Sequence, residues 1–278
     1  MHADSHFADQ SFATLLCDIP RPGVARITLN RPAAMNAYTQ RMTGELLAAI
    51  ALYRDDDALR ALIITGAGER AFCTGGDLGG GDREHSRSTH NAPMGHGREM
   101  REGMQAVVLA LRRLDKPSLA MVRGYAVAGG LALALACDFR FAGRSAKLGD
   151  TSNKAGLLPD EGGAWLFPRA MGLDRALKMT LMHEIYEAET AENLGLVTEV
   201  VDDTALETRS LDFCEALAGK APLAVRLSKM MMEKAATISL EASLADAQMA
   251  VMITNPSEDV REGVAAFREK RPPVFKGR

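Results

Sequence analysis

The sequence has 278 residues, a formal net charge of −3, and 47% hydrophobic and 25% charged residues, which is the balance of an ordinary globular protein. So small a net charge gives no reason to expect binding to nucleic acid or to an acidic membrane surface. Aromatic residues make up only 5% of the chain, so a stacking surface for single-stranded nucleic acid is not expected either.

The cysteines and the apolar segments predict the compartment. Four cysteines lie far apart, without the spacing of a metal site or a redox motif: Cys17, Cys73, Cys137 and Cys214. We therefore expect free thiols, no bound metal and a reducing cytoplasm. Residues 1–10 are polar and unlike a secretory signal, and the apolar run at 131–136 is far too short to span a bilayer. These features predict a soluble cytoplasmic protein without a membrane segment.

Strand and helix patterns alternate along the first part of the chain. In chain order they predict a strand at 24–29, a helix at 39–53, a strand at 60–65, a strand at 118–122, a helix at 129–137 and a strand at 138–142. Such alternation is typical of an α/β fold in which helices cover a parallel sheet. Residues 78–97 are rich in Gly, His, Ser and Asp and predict a mobile loop.

The pattern changes after residue 203. Consecutive helices are predicted there, at 205–217, 222–236, 240–253 and 257–267. We therefore expect three parts: a flexible N-terminal tail over 1–15, an α/β core over 16–203 and a helical region over 204–278. The helical region carries more apolar surface than an isolated bundle would leave exposed, which predicts a contact between subunits.

Two glycine-bearing turns follow predicted strands. The first is AFCTGGDL at 71–78 and the second is GYAVAGGL at 124–131. Glycine lets a backbone approach a ligand closely and direct its N–H groups outward, and the second turn leads into a helix N-terminus, which favours negative charge. Taken singly, each turn is explained equally well by glycine packing against a neighbouring strand.

Several separated motifs occur in a characteristic order. They are ITLNRP at 27–32, Asn36–Ala37, the two glycine turns, GLLP at 156–159, LFPR at 166–169, GLV at 195–197 and FREKRPPVFK at 267–276. In order and spacing these motifs resemble the enoyl-CoA hydratase/isomerase (crotonase) family over residues 22–278. The resemblance implies ββα turns wound into a superhelix, followed by C-terminal helices that form a homotrimer or a dimer of trimers.

The resemblance also implies an acyl-CoA site. The N–H groups of Gly76 and Gly129 would form an oxyanion hole for the thioester carbonyl, each donor being worth roughly 3–4 kcal/mol in the transition state. Coenzyme A would enter as part of the substrate, with no separate cofactor. Residues matched to the coenzyme A path are Ala34, Asn36, Thr74, Asp77 and Leu78. Lys270, from a neighbouring subunit, is matched to a coenzyme A phosphate, although a solvated lysine in a basic tail explains it equally well.

The sequence departs from this family at both positions where its hydratases carry a catalytic glutamate. Those positions hold Ala132 and Ser152. Addition of water needs one group to take a proton from water and another to protonate the α-carbon. Alanine can perform neither proton transfer, and a serine without an adjacent base performs them poorly. An ordinary hydratase is therefore not expected.

An acidic pair, Asp160–Glu161, follows in the next turn. Dienoyl isomerases, an epoxide ring-opening isomerase and an aromatic dehalogenase of the family carry aspartate at the position of Asp160, so the resemblance implies that Asp160 is catalytic. The alternative is that Asp160 caps the helix predicted after it, while Glu161 complements the dipole of that helix. Asp150 and Glu161 are the reserve candidates for proton transfer.

A single carboxyl group beside an oxyanion hole can remove a proton and return it elsewhere, which is sufficient for a double-bond shift. The first hypothesis is therefore an acyl-CoA isomerase that shifts a double bond or rearranges a ring through an enolate. The alternatives are a hydratase or hydrolase that uses Asp160 or Asp150, and a non-catalytic protein that binds coenzyme A thioesters. Three histidines lack a metal-site spacing and are predicted to be solvated loop residues: His85, His90 and His96.

Overall fold

The computed structural model describes residues 6–79 and 95–278, and the strands within these ranges form two sheets. The larger sheet contains, in spatial order, β1 (Leu15–Arg21), β2 (Val24–Leu29), β3 (Ala61–Gly66), β5 (Ser118–Val122), β7 (Phe139–Gly143) and β10 (Glu199–Val201). The smaller sheet contains β4 (Ala71–Cys73), β6 (Tyr125–Val127), β8 (Lys147–Gly149) and β9 (Ile185–Glu187).

The α-helices occupy many of the connections between strands. In chain order the described ranges contain α1 (Gln40–Asp55), α2 (Gly95–Glu102), α3 (Met104–Arg112), α4 (Gly129–Ala136), α5 (Gly163–Met171), α6 (Leu173–Met182), α7 (Ala188–Asn193), α8 (Leu206–Ala218), α9 (Pro222–Ala235), α10 (Leu240–Thr254) and α11 (Glu258–Glu269). None of these helices is long and apolar enough to cross a membrane.

The two sheets are built by a repeated unit. β3, β5 and β7 of the larger sheet are each followed by one strand of the smaller sheet, namely β4, β6 and β8. The pairs β2–β3, β3–β5 and β5–β7 are parallel, as are β4–β6 and β6–β8. Parallel neighbours need a crossover connection, which each unit supplies by leaving the larger sheet before it returns. This topology confirms the predicted α/β superhelix of ββα turns.

α4 is the helix around which the two glycine turns are arranged. All of its residues are buried, and every one is Gly, Ala or Leu. Small residues allow the close approach of this helix to the end of β4, since any side chain at Gly130 would collide with the carbonyl oxygen of Cys73. The N-terminus of α4 is thereby held against the turn that follows β4.

Residues 6–15 are the part of the predicted flexible tail that the structure describes, and they contact the core at several points. The ring of Phe7 is 1% exposed and belongs to the main core. The Glu45 carboxylate on α1 accepts hydrogen bonds from the backbone N–H groups of Ala13 (3.0 Å) and Thr14 (2.8 Å). Isolated apolar residues in a polar segment form too weak a sequence pattern to predict this packing.

The predicted mobile loop at 78–97 falls largely on residues 80–94, which lie outside the described residues together with His85 and His90. The end of that segment is helical, because α2 begins at Gly95. His96 is therefore a helix residue, and its environment belongs to the cavity described below.

The helical region after residue 203 divides into two parts. α8 packs on the larger sheet, where Leu206 and Cys214 join a buried cluster with Phe141. α9 and α10 contain no buried residue in this single chain. Large apolar side chains there face outward, and Met232 is 76% exposed. α8 thus completes the α/β core, whereas α9 and α10 present apolar surface.

Candidate active site

A cavity of about 880 Å³ opens at the ends of β4 and β6. Its wall includes Gly76 of the first glycine turn and Ala128 of the second. Met100 and Met104 line it from α2 and α3, and the segment 151–161 closes another side. The fold therefore brings both predicted turns to one cavity.

The two glycine turns are in direct contact. A Cβ atom at Gly75 would lie 3.2 Å from the Cβ of Ala128 and 3.3 Å from the backbone nitrogen of Gly129, and Gly75 has a φ of +92°. Ala128 also has a positive φ, 52°, with ψ −127°. Such a conformation is strained for any residue with a side chain, and strain of this kind is concentrated at functional sites.

Tyr38 fixes the first turn from the other side. Its N–H donates to the carbonyl of Gly75 at 2.9 Å, and its carbonyl accepts from the N–H of Asp77 at 3.0 Å. The N–H of Gly76 lies between these two bonds and, like the N–H of Gly129, donates to no other described residue of the backbone. Gly76 lines the cavity, whereas Gly129 directly follows the lining residue Ala128. Two N–H groups without a backbone acceptor at such positions can bind an oxyanion.

Glu161 is the buried carboxyl group of this cavity. It is 7% exposed, and its Oε1 accepts a hydrogen bond from the hydroxyl of Tyr38. Its Oε2 is also buried and has no hydrogen-bond partner in the described part of the chain. A Cβ atom at Gly129 would collide with Oε1 of Glu161 and would lie 2.6 Å from the Tyr38 hydroxyl. The pair therefore lies directly over Gly129.

The environment of Glu161 favours its neutral form. The pKa of the Glu161 carboxyl is raised from 4.5 to about 7. Burial is the largest cause, the hydrogen bond from Tyr38 opposes it, and Asp160 adds to the rise through its charge and a side-chain contact. A carboxyl group with a pKa near neutrality can both take up and release a proton at physiological pH. Such a group is suited to acid–base chemistry.

Asp160, the residue that the sequence ranked first, also lines the cavity but is exposed. Its backbone carbonyl accepts a hydrogen bond from Nε2 of Gln105 on α3 at 2.8 Å. The alternative interpretation as a helix cap is wrong, because the N-cap of α5 is Gly162 and no described side chain caps that end. The structure thus brings Asp160 and Glu161 to the same cavity and buries only the second.

The chain is similar to known proteins over most of its length. Residues 21–278 match the sequence family described as enoyl-CoA hydratase/isomerase. The chain belongs to that family. It is 36% identical over 254 residues to (E)-benzylidenesuccinyl-CoA hydratase of Thauera aromatica, covering 91% of this chain and 96% of that protein. It is also 36% identical over 256 residues to 1,2-epoxyphenylacetyl-CoA isomerase of Escherichia coli (strain K12), covering 92% and 96%.

Solved structures of the enoyl-CoA hydratase/isomerase family share this fold. The enoyl-CoA hydratase of Bacillus anthracis superposes with a TM-score of 0.88 at 31% identity, covering 95% of this chain and all of that one. A family hydratase/isomerase structure from Mycobacterium abscessus has a TM-score of 0.87 at 34% identity, covering 95% and 100%. The predicted membership of this family is confirmed, and relatives carry both hydratase and isomerase names.

The two positions at which family hydratases carry glutamate are placed differently. Ala132 is completely buried within α4. Ser152 lines the cavity, and its hydroxyl donates to Oδ1 of Asp150 at 2.7 Å. Asp150 is also completely buried and accepts from the Thr180 hydroxyl at 2.8 Å. Asp150 is not among the described residues that line the cavity, and it contacts the cavity wall through Ser152.

Three of the residues matched to the coenzyme A path line the cavity: Thr74, Asp77 and Leu78. A carboxylate oxygen of Asp77 lies 2.7 Å from the Arg31 guanidinium. Leu78 is 72% exposed, which places it at the rim. These side chains form one edge of the cavity entrance.

Asn36 and Ala34 are not among the described cavity-lining residues. Asn36 is fully buried, and its Nδ2 donates to the carbonyl groups of Ala67 (3.0 Å) and Ala71 (2.8 Å). Its side chain joins the segment before α1 to the two ends of the β3–β4 connection. Ala34 ends a short 3-10 turn, Pro32–Ala34, and is partly exposed. In this structure Asn36 supports the site rather than facing it.

Lys270 lies at the end of α11, in a left-handed conformation with φ 54°. Its side chain is exposed and is not among the described residues that line the cavity of its own chain. The predicted contribution of Lys270 to a neighbouring subunit stays a prediction.

Tyr38 was missed by the sequence analysis, and Glu161 was ranked low. Tyr38 directly precedes Thr39, whose hydroxyl caps α1 by accepting from the N–H of Met42 at 3.3 Å. Nothing in this local pattern distinguishes Tyr38 from a tyrosine that packs at a helix start. The two residues are 123 positions apart, and their contact depends on the fold.

Proposed function

We propose that this protein is an acyl-CoA isomerase, that Gly76 and Gly129 supply the oxyanion hole, and that Glu161 transfers the proton. The observation that carries the proposal is the buried Glu161 carboxyl group, whose Oε2 is unpaired among the described residues and which lies directly over Gly129. An unpaired buried carboxylate oxygen costs free energy, and function is a common reason for retaining such a group.

The proposed reaction uses these groups in turn. The thioester carbonyl oxygen accepts hydrogen bonds from the N–H groups of Gly76 and Gly129. The Glu161 carboxylate takes a proton from the acyl chain, and the electron pair of the broken C–H bond delocalises into the thioester enolate. The same carboxyl group then returns the proton to a different carbon, so the double bond moves and no atom is gained or lost.

The residues around Glu161 favour isomerisation over ordinary hydration. A pKa near 7, raised mainly by burial, lets one carboxyl group act in turn as base and acid. The two glutamates that family hydratases use are absent, with Ala132 and Ser152 in their positions. One group that takes and returns a proton is sufficient for a double-bond shift.

Hydration is the second candidate, and the position of Asp160 favours it. This exposed carboxyl group lies in the same cavity as Glu161, so a water molecule could be activated by one carboxylate while the other protonates the α-carbon. One relative at 36% identity carries the name (E)-benzylidenesuccinyl-CoA hydratase, and another is named an isomerase. Both names describe an aryl-bearing acyl group, which we propose as the first class of substrate to test.

We further propose a homotrimer or a dimer of trimers in the cytoplasm. The apolar surface of α9 and α10, which contain no buried residue in the single chain, supports a contact between subunits. All four cysteines carry free thiols, which agrees with a reducing compartment. Coenzyme A enters as part of the substrate, and Lys270 of a neighbouring subunit is proposed to contact one of its phosphates.

The experiment is exchange of acyl-CoA protons with deuterated water, measured by mass spectrometry over straight-chain, branched and aryl-bearing thioesters. Glu161→Gln should lower the exchange rate by at least roughly a hundredfold, the lower end of what a positioned base contributes. Glu102→Gln, an exposed glutamate on the neighbouring α2, is the matched control and should exchange at the wild-type rate. Thioester affinity should change little in either variant.

The same assay in ¹⁸O-labelled water separates the candidate functions. An isomerase gives a product of unchanged mass without ¹⁸O, whereas a hydratase adds one labelled oxygen. If the wild-type protein binds thioesters but exchanges no proton with any of them, it is a binding protein and the proposal fails.

A further inference from the structure

We propose that Tyr38 is a positioning residue for the catalytic carboxyl group: its phenol holds Oε1 of Glu161, so that Oε2 is the oxygen that exchanges protons with the substrate. This inference rests on the proposed function of Glu161 and extends it to a residue 123 positions away in the chain. The experiment below is chosen so that the two can fail separately.

The backbone fixes Tyr38 relative to the oxyanion turn. Two backbone hydrogen bonds join it to Gly75 and Asp77, on either side of Gly76. A Cβ atom at Gly76 would lie 3.6 Å from the Tyr38 ring. The phenol therefore has a defined position over both glycine turns, and from that position it can hold the Glu161 carboxyl group in place.

The two oxygens of Glu161 are not equivalent. Oε1 accepts the hydrogen bond from Tyr38, whereas Oε2 is buried without a hydrogen-bond partner among the described residues. A carboxylate that is free to rotate would exchange these two environments. A half-turn only interchanges the two oxygens, so in either orientation one of them accepts from the phenol; orientations in between would leave the phenol unpaired and are disfavoured. The unpaired oxygen is thus kept available for a proton from the substrate.

The groups that face Glu161 determine its protonation. Tyr38 faces it from the segment before α1, Cys73 from the end of β4, and Asp160 from its own segment. Burial raises the pKa of the Tyr38 phenol far above its ordinary value, and the charge of Glu161 raises it further. Burial also raises the pKa of the Cys73 thiol to about 12. Both groups therefore stay protonated at physiological pH, and Tyr38 stays a donor.

Other titratable or charged side chains line the same cavity: Asp77, His96, Glu99 and Lys154. Among the groups nearest to Glu161, Tyr38 lowers its pKa and Asp160 raises it, while burial has the largest effect. Removing the phenol hydroxyl should therefore raise the pKa of Glu161 further. Since the base must be ionised, the rate would then reach its plateau only at higher pH.

The test is Tyr38→Phe, which keeps the ring and removes the hydroxyl. In a plot of exchange rate against pH, the rise toward the plateau is the acidic limb. Its midpoint should move upward by about one pH unit, the size expected for loss of one hydrogen bond to a charged group. The plateau rate should also fall, because the carboxylate is no longer oriented. Tyr53→Phe is the matched control: Tyr53 is buried and donates to the carbonyl of Pro117 at 3.1 Å, away from the cavity. It should lower the melting temperature without moving the pH profile.

A second measurement follows the ¹³C resonance of the Glu161 carboxyl group during a pH titration without substrate, assigned by its loss in Glu161→Gln. The proposal is supported if the NMR pKa and the kinetic limb rise together in Tyr38→Phe. An unchanged NMR pKa overturns the role of Tyr38 and leaves the role of Glu161 standing. A raised NMR pKa with an unchanged kinetic limb shows that Glu161 is not the base, which overturns both. An equal shift of the limb in Tyr53→Phe also overturns the proposal.

Discussion

Asp160 and Glu161 are consecutive in sequence and line the same cavity, but Glu161 is buried over Gly129 while Asp160 faces solvent. The two carboxyl groups therefore differ in their contact with solvent. Burial is the main reason why the pKa of Glu161 is raised, and the charge of Asp160 adds to it. Two neighbouring acids in different environments can take different roles in one reaction.

Asp160→Asn should preserve most of the proton exchange. Loss of the negative charge beside Glu161 lowers the pKa of that carboxyl group, so the acidic limb of the exchange rate should move to lower pH. The measurement is the exchange rate as a function of pH, beside Glu161→Gln. If Asp160→Asn instead lowers exchange by roughly a hundredfold, as expected for loss of a base, then Asp160 is the proton-transfer residue that the sequence first indicated.

Glu161→Gln should stabilise the fold at pH 8. The folded-state pKa, about 7, is above the ordinary value of 4.5. The wild type therefore loses stability as the pH rises from about 4.5 to 7, and the full penalty applies above 7. The shift corresponds to about 3 kcal/mol as an upper estimate. Urea unfolding at pH 4 and pH 8 should show equal stability of variant and wild type at pH 4 and a more stable variant at pH 8. Equal stability of the variant and the wild type at both pH values would contradict the burial of a charged Glu161 carboxylate.

Ala128→Gly should also stabilise the protein. Relief of the strained φ of 52° and ψ of −127° at Ala128 should gain about 1–3 kcal/mol, of which the greater freedom of the unfolded chain removes about 0.5–1 kcal/mol. Ala134→Gly, inside α4, is the matched control and should cost about 1 kcal/mol. Urea unfolding measures both. A loss of stability in Ala128→Gly similar to that of the control would show that Ala128 is not strained.

Hydration of crotonyl-CoA should be slow. Ala132 provides no acid or base, so one member of the glutamate pair is missing whatever the hydrogen bond from the Ser152 hydroxyl to the Asp150 carboxylate supplies. The rate of 3-hydroxybutyryl-CoA formation should be orders of magnitude below that of a family hydratase with both glutamates, assayed in parallel. Rapid turnover of this substrate by the unmodified protein would contradict our interpretation of these two positions.

Light scattering at micromolar concentration should give the mass of a trimer or a multiple of it. The reason is the exposed apolar surface of α9 and α10, including Met232, which a monomer would leave in water. A monomeric mass would contradict the predicted assembly.

The sequence by itself determined the strands at the centre of the larger sheet and the two glycine turns. These features depend on local properties, since β3 and β5 are runs of apolar residues and the turns need glycine where the backbones meet. A family resemblance then identified Gly76 and Gly129 as a pair. The tertiary structure decided which carboxyl group faces the cavity. Gly162, with a φ of +125°, turns the chain into α5, and Glu161 enters the interior while Asp160 stays outside. The contact of Glu161 with Tyr38 also depends on this packing, because residues 123 positions apart leave no local pattern that predicts their meeting.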